Sequence, residues 1–421
     1  MLDSKRTSKF FDYFLVFATM VFSGSYLLVV ELPTIWVLLG LVIVFGIYCL
    51  YKRKITLKFL PIKYIVFFVV SFLITYVANH KTDTLGGLVG SLLPIIFACL
   101  VVLIVPWDNF KKAYVNVMLF LTIISIIMYY LGSDFMVRYG IPMHHSRQNI
   151  TYYSIIIYSY APARVRNCGF FWEPGLFATA LVYAIVLLNQ KALTPKSLLY
   201  NIIFVCGILS TKSTAGYALI PIVYFYVFTT RLQKNNKYYT QILIALIILL
   251  FIGVLCFIFL DEIIYGLNLQ DVQIFQKLLR ENLIKNPRVI AVQENLKYFA
   301  QYFMFGTGYV KGMEFMAGLD CFDTATAFVM LSRYGILGIG YTFMIVHAVK
   351  NAGNISMPSK VSLFALLFLL VNKEPNNAYV LSWIFIFYLL NREKVFYNKK
   401  SISFQENTVS EVKNPEKIKV N

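Results

Sequence analysis

Long apolar runs separated by short basic or polar clusters set the pattern of this chain. They fall at about 10–30, 33–51, 62–79, 87–106, 113–132, 170–189, 197–210, 215–230, 240–260, 324–348, 359–371 and 378–391. Their apolar character is continuous rather than alternating, which predicts membrane-spanning helices and excludes the strands of a membrane barrel. Basic clusters recur at Lys5/Arg6/Lys9, Lys52/Arg53/Lys54, Lys111/Lys112, Lys191/Lys196, Arg231/Lys234/Lys237, Lys350/Lys360 and from Arg392 onward. These fall on one side of a twelve-span chain, and the positive-inside rule makes that side cytoplasmic for both termini. The expected fold is all-α and polytopic. Residues 1–400 form the transmembrane domain, and 401–421 a polar, disordered cytoplasmic tail.

Two outer segments are long. The first runs from about Ser133 to Gly169, and the second, at about 261–323, is the one large outer loop. Val272, Phe275, Leu278, Leu279 and Leu283 recur there at helical spacing, as do Val289, Val292, Leu296, Phe299 and Phe303. They predict two amphipathic helices lying on the interface or packed on the bundle, the second starting at Asn286-Pro287. Arg288 falls on the apolar stripe 288, 292, 296, 299, 303, expected to dock against membrane or bundle, and in a first turn whose free N–H groups suit phosphate. A lipid-headgroup contact by a snorkelling arginine is the alternative.

Two outer turns are drawn below the membrane surface by arithmetic. Two crossings need roughly 40 residues, but the seventh and eighth runs share only 34, from 197 to 230, and the last two only 31, from 361 to 391. The turns Ser210–Thr214 and Asn372–Asn377 are therefore expected to line a recessed polar chamber, since polar backbone at membrane depth survives only inside protein or beside water. A locally thin bilayer is the competing explanation.

Composition agrees with a membrane protein: 421 residues, 59% hydrophobic and only 14% charged. The net charge of +18 then reflects cytoplasmic loops and anionic lipid rather than nucleic acid. The six cysteines are scattered, which excludes a zinc site or a disulfide framework on spacing. Adjacent His144-His145 lack the spacing by which a helix presents two metal ligands, and Asp320 with Asp323 suits salt bridges better than a metal. No metal and no cofactor is expected.

The densest chemistry is Arg164-Val-Arg166-Asn-Cys-Gly169-Phe-Phe-Trp-Glu173-Pro-Gly175. Arginine beside membrane is costly, and its fork binds phosphate oxygens bidentately. Pro174 suits a first helical position, and Glu173 complements the helix dipole. An ordinary charged loop with a helix cap would look similar. The segment resembles the Arg-x-x-Gly-x-x-x-Glu-Pro-Gly stretch of bacterial O-antigen polymerases, within the broader O-antigen ligase-like family. Arg164 and Gly175 also reproduce that family's Arg-x10-Gly spacing. Phe305-Gly-Thr-Gly-Tyr309, Tyr334-Gly-Ile-Leu-Gly338 and the polar break Ser210–Tyr217 resemble the same family. The histidine typical of its ligases is replaced by Asp323-Thr-Ala-Thr326, which favours a polymerase over a ligase.

The resemblance implies transfer of a glycan from undecaprenyl diphosphate onto a lipid-linked repeat unit at the periplasmic face of the inner membrane. On that reading Arg166 and Arg288 stabilise the diphosphate, and Arg164, Lys212, Gly169 and Gly175 contact substrate. Glu173 either accepts the acceptor hydroxyl proton or orients Arg166. Expected partners are undecaprenyl-diphosphate-linked oligosaccharide, membrane lipids and a chain-length regulator protein, with no nucleic acid. The competing functions are a ligase of the same fold and a lipid-linked oligosaccharide flippase; the one-sided charge favours an enzyme over the flippase.

Overall fold

The computed structural model of the protein describes residues 2–27, 34–51, 60–138, 143–145, 151–155, 157–160, 166–189, 194–231, 287–318, 325–353, 355–373 and 379–391. The first amphipathic stretch, 272–283, the ninth run, 240–260, and the terminal tail lie outside the described residues, as do Arg164, Asp320 and Asp323.

Helices dominate. In chain order they are α1 (Leu2–Val21), α2 (Thr34–Tyr51), α3 (Leu60–Ala78), α4 (Leu85–Ile104), α5 (Trp107–Ile127) and α6 (Ser133–Arg138), followed by α7 (Pro174–Leu188), α8 (Pro195–Ser210) and α9 (Thr214–Arg231). The remainder are α10 (Pro287–Gln301), α11 (Tyr309–Gly318), α12 (Thr326–Tyr334), α13 (Ile339–Lys350) and α14 (Met357–Lys373), with α15 at Val380–Asn391. Among the described residues, four stretches are long and apolar enough to cross a membrane: Pro61–Ala78, Leu85–Ile104, Trp107–Tyr130 and Thr326–Lys350. Shorter apolar helices account for most of the other expected runs.

The middle of the bundle is α7 and α15. Every residue from Pro174 to Leu187 is buried, and so are Trp383 to Leu390 on α15. A helix apolar on all sides belongs in a core. Small residues let its neighbours close on it. A methyl at Gly207 of α8 would lie 2.7 Å from Thr122 of α5 and 3.0 Å from Leu181 of α7, the close approach that membrane helices use for packing.

Side-chain bonds show which helix ends lie together. The Tyr388 hydroxyl of α15 donates to the carbonyl of Val105 after α4, Tyr64 bonds His347, and Thr229 bonds Ser362. At the opposite end, the turn after α1 meets the segment before α7 and the start of α15. There Trp172 N donates to Gly24 O and Val380 N to Phe22 O, while Leu381 N donates to Ser23 Oγ. The helices alternate in direction, and α9 finishes at the end opposite the one where α12 begins.

Three features depart from the sequence expectation. The first run stops at Val21 rather than at 30, because Gly24 turns the chain at φ +95°. The segment after α5, expected on the outer side, contains a small antiparallel sheet, β1 (Met143–His145), β2 (Thr151–Ile155) and β3 (Tyr158–Tyr160). Its register pairs Met143 with Tyr153 and Tyr153 with Tyr160. The Thr151–Tyr160 stretch is β-branched and aromatic, which is the strand signal.

The third departure is the largest. Thr326–Lys350 is not one straight span. A 3₁₀ turn at Gly335–Gly338 separates α12 from α13. In a straight helix residues 330 and 338 stand about 12 Å apart, yet a methyl at Gly338 would lie 2.0 Å from the Met330 carbonyl oxygen. The chain folds sharply there, at Gly335 with φ +58°. The first end of α12 is held by Asn372, whose Oδ1 accepts from Ala327 N. Its other end meets the loop after α3. Broken backbone of this kind is tolerated at membrane depth only where protein or water satisfies it.

Candidate functional site

The segment around Arg166 is pinned by its neighbour. Asn167 is fully buried and joins three elements. Its Oδ1 accepts from Ser125 Oγ of α5 at 2.8 Å and from Gly169 N at 2.9 Å. Its Nδ2 donates to Ser210 Oγ, the last residue of α8, at 2.9 Å, and its backbone N donates to Ser210 O. A buried amide with every polar atom engaged is a rigid junction. It holds Arg166 beside the turn that carries Lys212.

Lys212 is exposed and has φ +47°, a left-handed conformation uncommon outside glycine. Thr211 Oγ1, bonded to Ile208 O, and the Ser213 hydroxyl, which accepts from Gly216 N, brace the turn. With 16 residues, α8 spans roughly 24 Å, less than the roughly 30 Å hydrocarbon core. That length agrees with a recessed turn. Lys212 and Arg166 both lie within electrostatic reach of Tyr217 on α9. Lys212 also acts on Tyr160 of β3, whose phenol is pushed up first by burial and then by Asp134 and Tyr129, with Lys212 opposing. Two cations from separate segments therefore share one environment.

The motif's glycines shape this loop. Gly169 has φ +57°, and its carbonyl accepts from Ser159 N of β3 at 2.7 Å. Gly175 is buried in the first turn of α7, where its carbonyl accepts from Lys373 Nζ at 3.0 Å. Lys373 is itself buried, so the second short turn delivers its cation into protein, against the motif. Glu173 is the N-cap residue of α7 in extended conformation, without a side-chain capping bond. Trp172 closes the segment, donating to Tyr379 Oη and accepting from the Tyr152 hydroxyl.

Arg288 belongs to a second layer. It is half-buried in the first turn of α10, the helix that packs on α12. The face packed on α12 is not the apolar stripe, which of its two expected surfaces leaves the membrane. Ala291 and Asn295 are buried, with Asn295 bonded to Ser332 of α12, while Val289, Leu296 and Phe303 are exposed. Small and polar residues make the contact because backbone bonds, rather than apolar area, hold this layer. Thr307 N donates to Ser332 O, Gly308 N to Arg333 O and Ile336 N to Phe303 O. Asp83, from the loop after α3, caps α11 by accepting from Tyr309 N and Val310 N, each at 3.0 Å. Buried Arg333 lies with its guanidinium carbon 4.7 Å from the Tyr309 ring centre. Neither Asn167 nor Arg333 stood out in the sequence; an arginine inside an apolar run was the available signal for Arg333.

A cavity of about 360 Å³ opens between α7, α8 and α9, lined by Asn189, Asn201, Cys206 and Tyr224. It lies toward the opposite end of these helices from Lys212 and holds none of the candidate cations. His144 and His145 sit in β1, paired with Tyr152 and Thr151. Among the described residues, no group of three or more histidines, cysteines or carboxylates is placed to hold a metal ion. A scan against protein-family models found no match to this chain, and a search of curated proteins found no significant match.

Proposed function

We propose that this chain is a polysaccharide polymerase of the O-antigen type, acting at the periplasmic face of a bacterial inner membrane. The observation that carries the reading is the Asn167 junction, which joins Arg166 of the Arg-x-x-Gly-x-x-x-Glu-Pro-Gly segment to the Lys212 turn. An acceptor hydroxyl oxygen attacks the anomeric carbon of a glycan on undecaprenyl diphosphate. The carbon–oxygen bond to diphosphate breaks, and the diphosphate leaves with the electron pair. Arg166, Lys212 and, from the α10 layer, Arg288 offset that developing charge; fixed cations suit this role because they need no reorganisation. Glu173 orients the cations or accepts the hydroxyl proton. Arg164 completes the cationic segment, and a chain-length regulator protein is the further partner.

The finer topology belongs to the same proposal: twelve spans with both ends cytoplasmic. It is supported by α9 ending at one end of the bundle and α12 starting at the other. A cysteine placed at exposed Gln301 should react with an impermeant thiol reagent added from outside, and one at Lys196 should not. The reverse pattern would overturn the orientation.

The function is tested by the glycan ladder of cells with and without the protein. Long chains should vanish while single repeats remain on the surface. Loss of all exported repeats would instead identify a flippase, and free polymer with none attached to the final acceptor would identify a ligase.

A further inference from the structure

Around the two cations the structure gathers tyrosines from separate elements. The chain between Met128 and Gly132 is a π-helical turn, a rare local geometry that occurs frequently at functional sites. It begins three residues beyond Ser125, which bonds Asn167, so its side chains stand one turn above the junction. Tyr129 and Tyr130 are carried there with ring centres 4.9 Å apart and planes at 77°. Tyr130 is 67% exposed. Tyr217 crosses back over the Lys212 turn, donating to Leu209 O at 3.0 Å. On β3, Tyr158 and Tyr160 share one face by the two-residue period of a strand. Tyr160 and Tyr217 each interact electrostatically with both Lys212 and Tyr129.

We infer that Tyr129, Tyr130, Tyr160 and Tyr217 wall a subsite for a sugar ring, beside a phosphate held by Arg166 and Lys212. This refines the polymerase reading and rests on it for the substrate class. The chemistry is that of a glycosyl phosphate. One face of a pyranose presents C–H bonds, which pack on the negatively polarised face of an aromatic ring. Its hydroxyl edge needs donors and acceptors, supplied by the phenols and by exposed Asp134. A second observation points the same way. The Tyr158 hydroxyl is buried and has no hydrogen-bond partner among the described residues, and it lies within electrostatic reach of Tyr129 and Tyr160. Buried polar groups are nearly always paired in folded proteins; this phenol, behind Tyr160 on β3, has a hydrogen bond still to make.

The test uses the full chain in lipid nanodiscs and a panel of hexose 1-phosphates (glucose, galactose and N-acetylglucosamine forms), observed by saturation-transfer NMR. Sugar-ring protons of at least one member should receive saturation. Removing both rings with Tyr130→Ala and Tyr217→Ala should weaken that binding roughly tenfold to a hundredfold, while competition by inorganic phosphate is unchanged. Arg166→Gln should weaken both ligands. Tyr130→Ala alone, at an exposed side chain, serves where the double variant melts early, with a loss of roughly threefold to tenfold. Absence of ring-proton saturation across the panel overturns the subsite, as does full affinity in the tyrosine variants. If binding behaves as expected while the glycan ladder is unchanged by deletion, the subsite stands and the polymerase reading falls.

Discussion

Replacing Arg166 with lysine should slow chain extension by roughly thirtyfold to a thousandfold, the equivalent of about 2–4 kcal/mol of lost charge stabilisation. Lysine keeps the charge but loses the planar fork that meets two phosphate oxygens together. On the proposed function the contact strengthens as the diphosphate departs, so the loss should fall on turnover rather than on apparent substrate affinity. The measurement is single-cycle extension by purified protein supplied with lipid-linked repeats. Lys297→Gln, at a side chain 65% exposed and paired with Glu294, serves as the control and should leave the rate unchanged. Asn167→Leu should reproduce the turnover defect without touching substrate. It removes the acceptor of Gly169 N and the partner of both serines, at a cost of about 3 kcal/mol in a fully buried place, so its melting temperature should fall as well. Arg166→Lys should melt like wild type. An Arg166→Lys protein with wild-type turnover would reduce Arg166 to a loop anchor at the membrane edge.

How much of this was legible depends on which physical signal each residue leaves in the chain. Apolar length locates the helices, and Pro287 marks the start of α10, because both effects are local. Charge beside apolar sequence picks out Arg166 and Lys212 for the same reason. Their union is invisible there. It rests on Asn167 joining α5 and α8, helices whose meeting no periodicity announces. The stripe of α10, expected to face membrane or bundle, leaves that choice open for a related reason. Val289, Leu296 and Phe303 have the spacing of a docking face, yet the contact uses Ala291, Asn295 and the backbone of the Gly306–Gly308 loop. An apolar stripe reports that a face avoids water, and in a membrane protein lipid satisfies that as well as protein does. The sheet at 143–160 was legible in principle from its β-branched and aromatic residues, but its strands of three to five residues are too short to establish a period.

Gly335→Ala should be a severely damaging single methyl in the layer formed by α10, α11 and α12. Gly335 sits at φ +58° and ψ −142°, a region open essentially to glycine alone. Its added carbon would lie 2.6 Å from Phe303 O and 2.7 Å from Gly306 N, backbone atoms that cannot swing aside. The same clash is written from the other side at Gly306, φ +69°, where a methyl would lie 2.2 Å from the Arg333 carbonyl. Strain and overlap together should cost more than about 3 kcal/mol, enough to release the α10–α11 layer while the central bundle around α7 and α15 persists. The expected result is a folded, membrane-inserted protein cut by externally added protease between residues 287 and 318, with chain extension lost. Gly40→Ala is the matched control: nothing lies within 4 Å of its added carbon, and alanine is the better helix former, so abundance, protease resistance and activity should all match wild type. If Gly335→Ala left that layer protease-resistant, the fold-back at 335–338 would not be what holds α10 in place, and Arg288 would have to be positioned by contacts outside this junction.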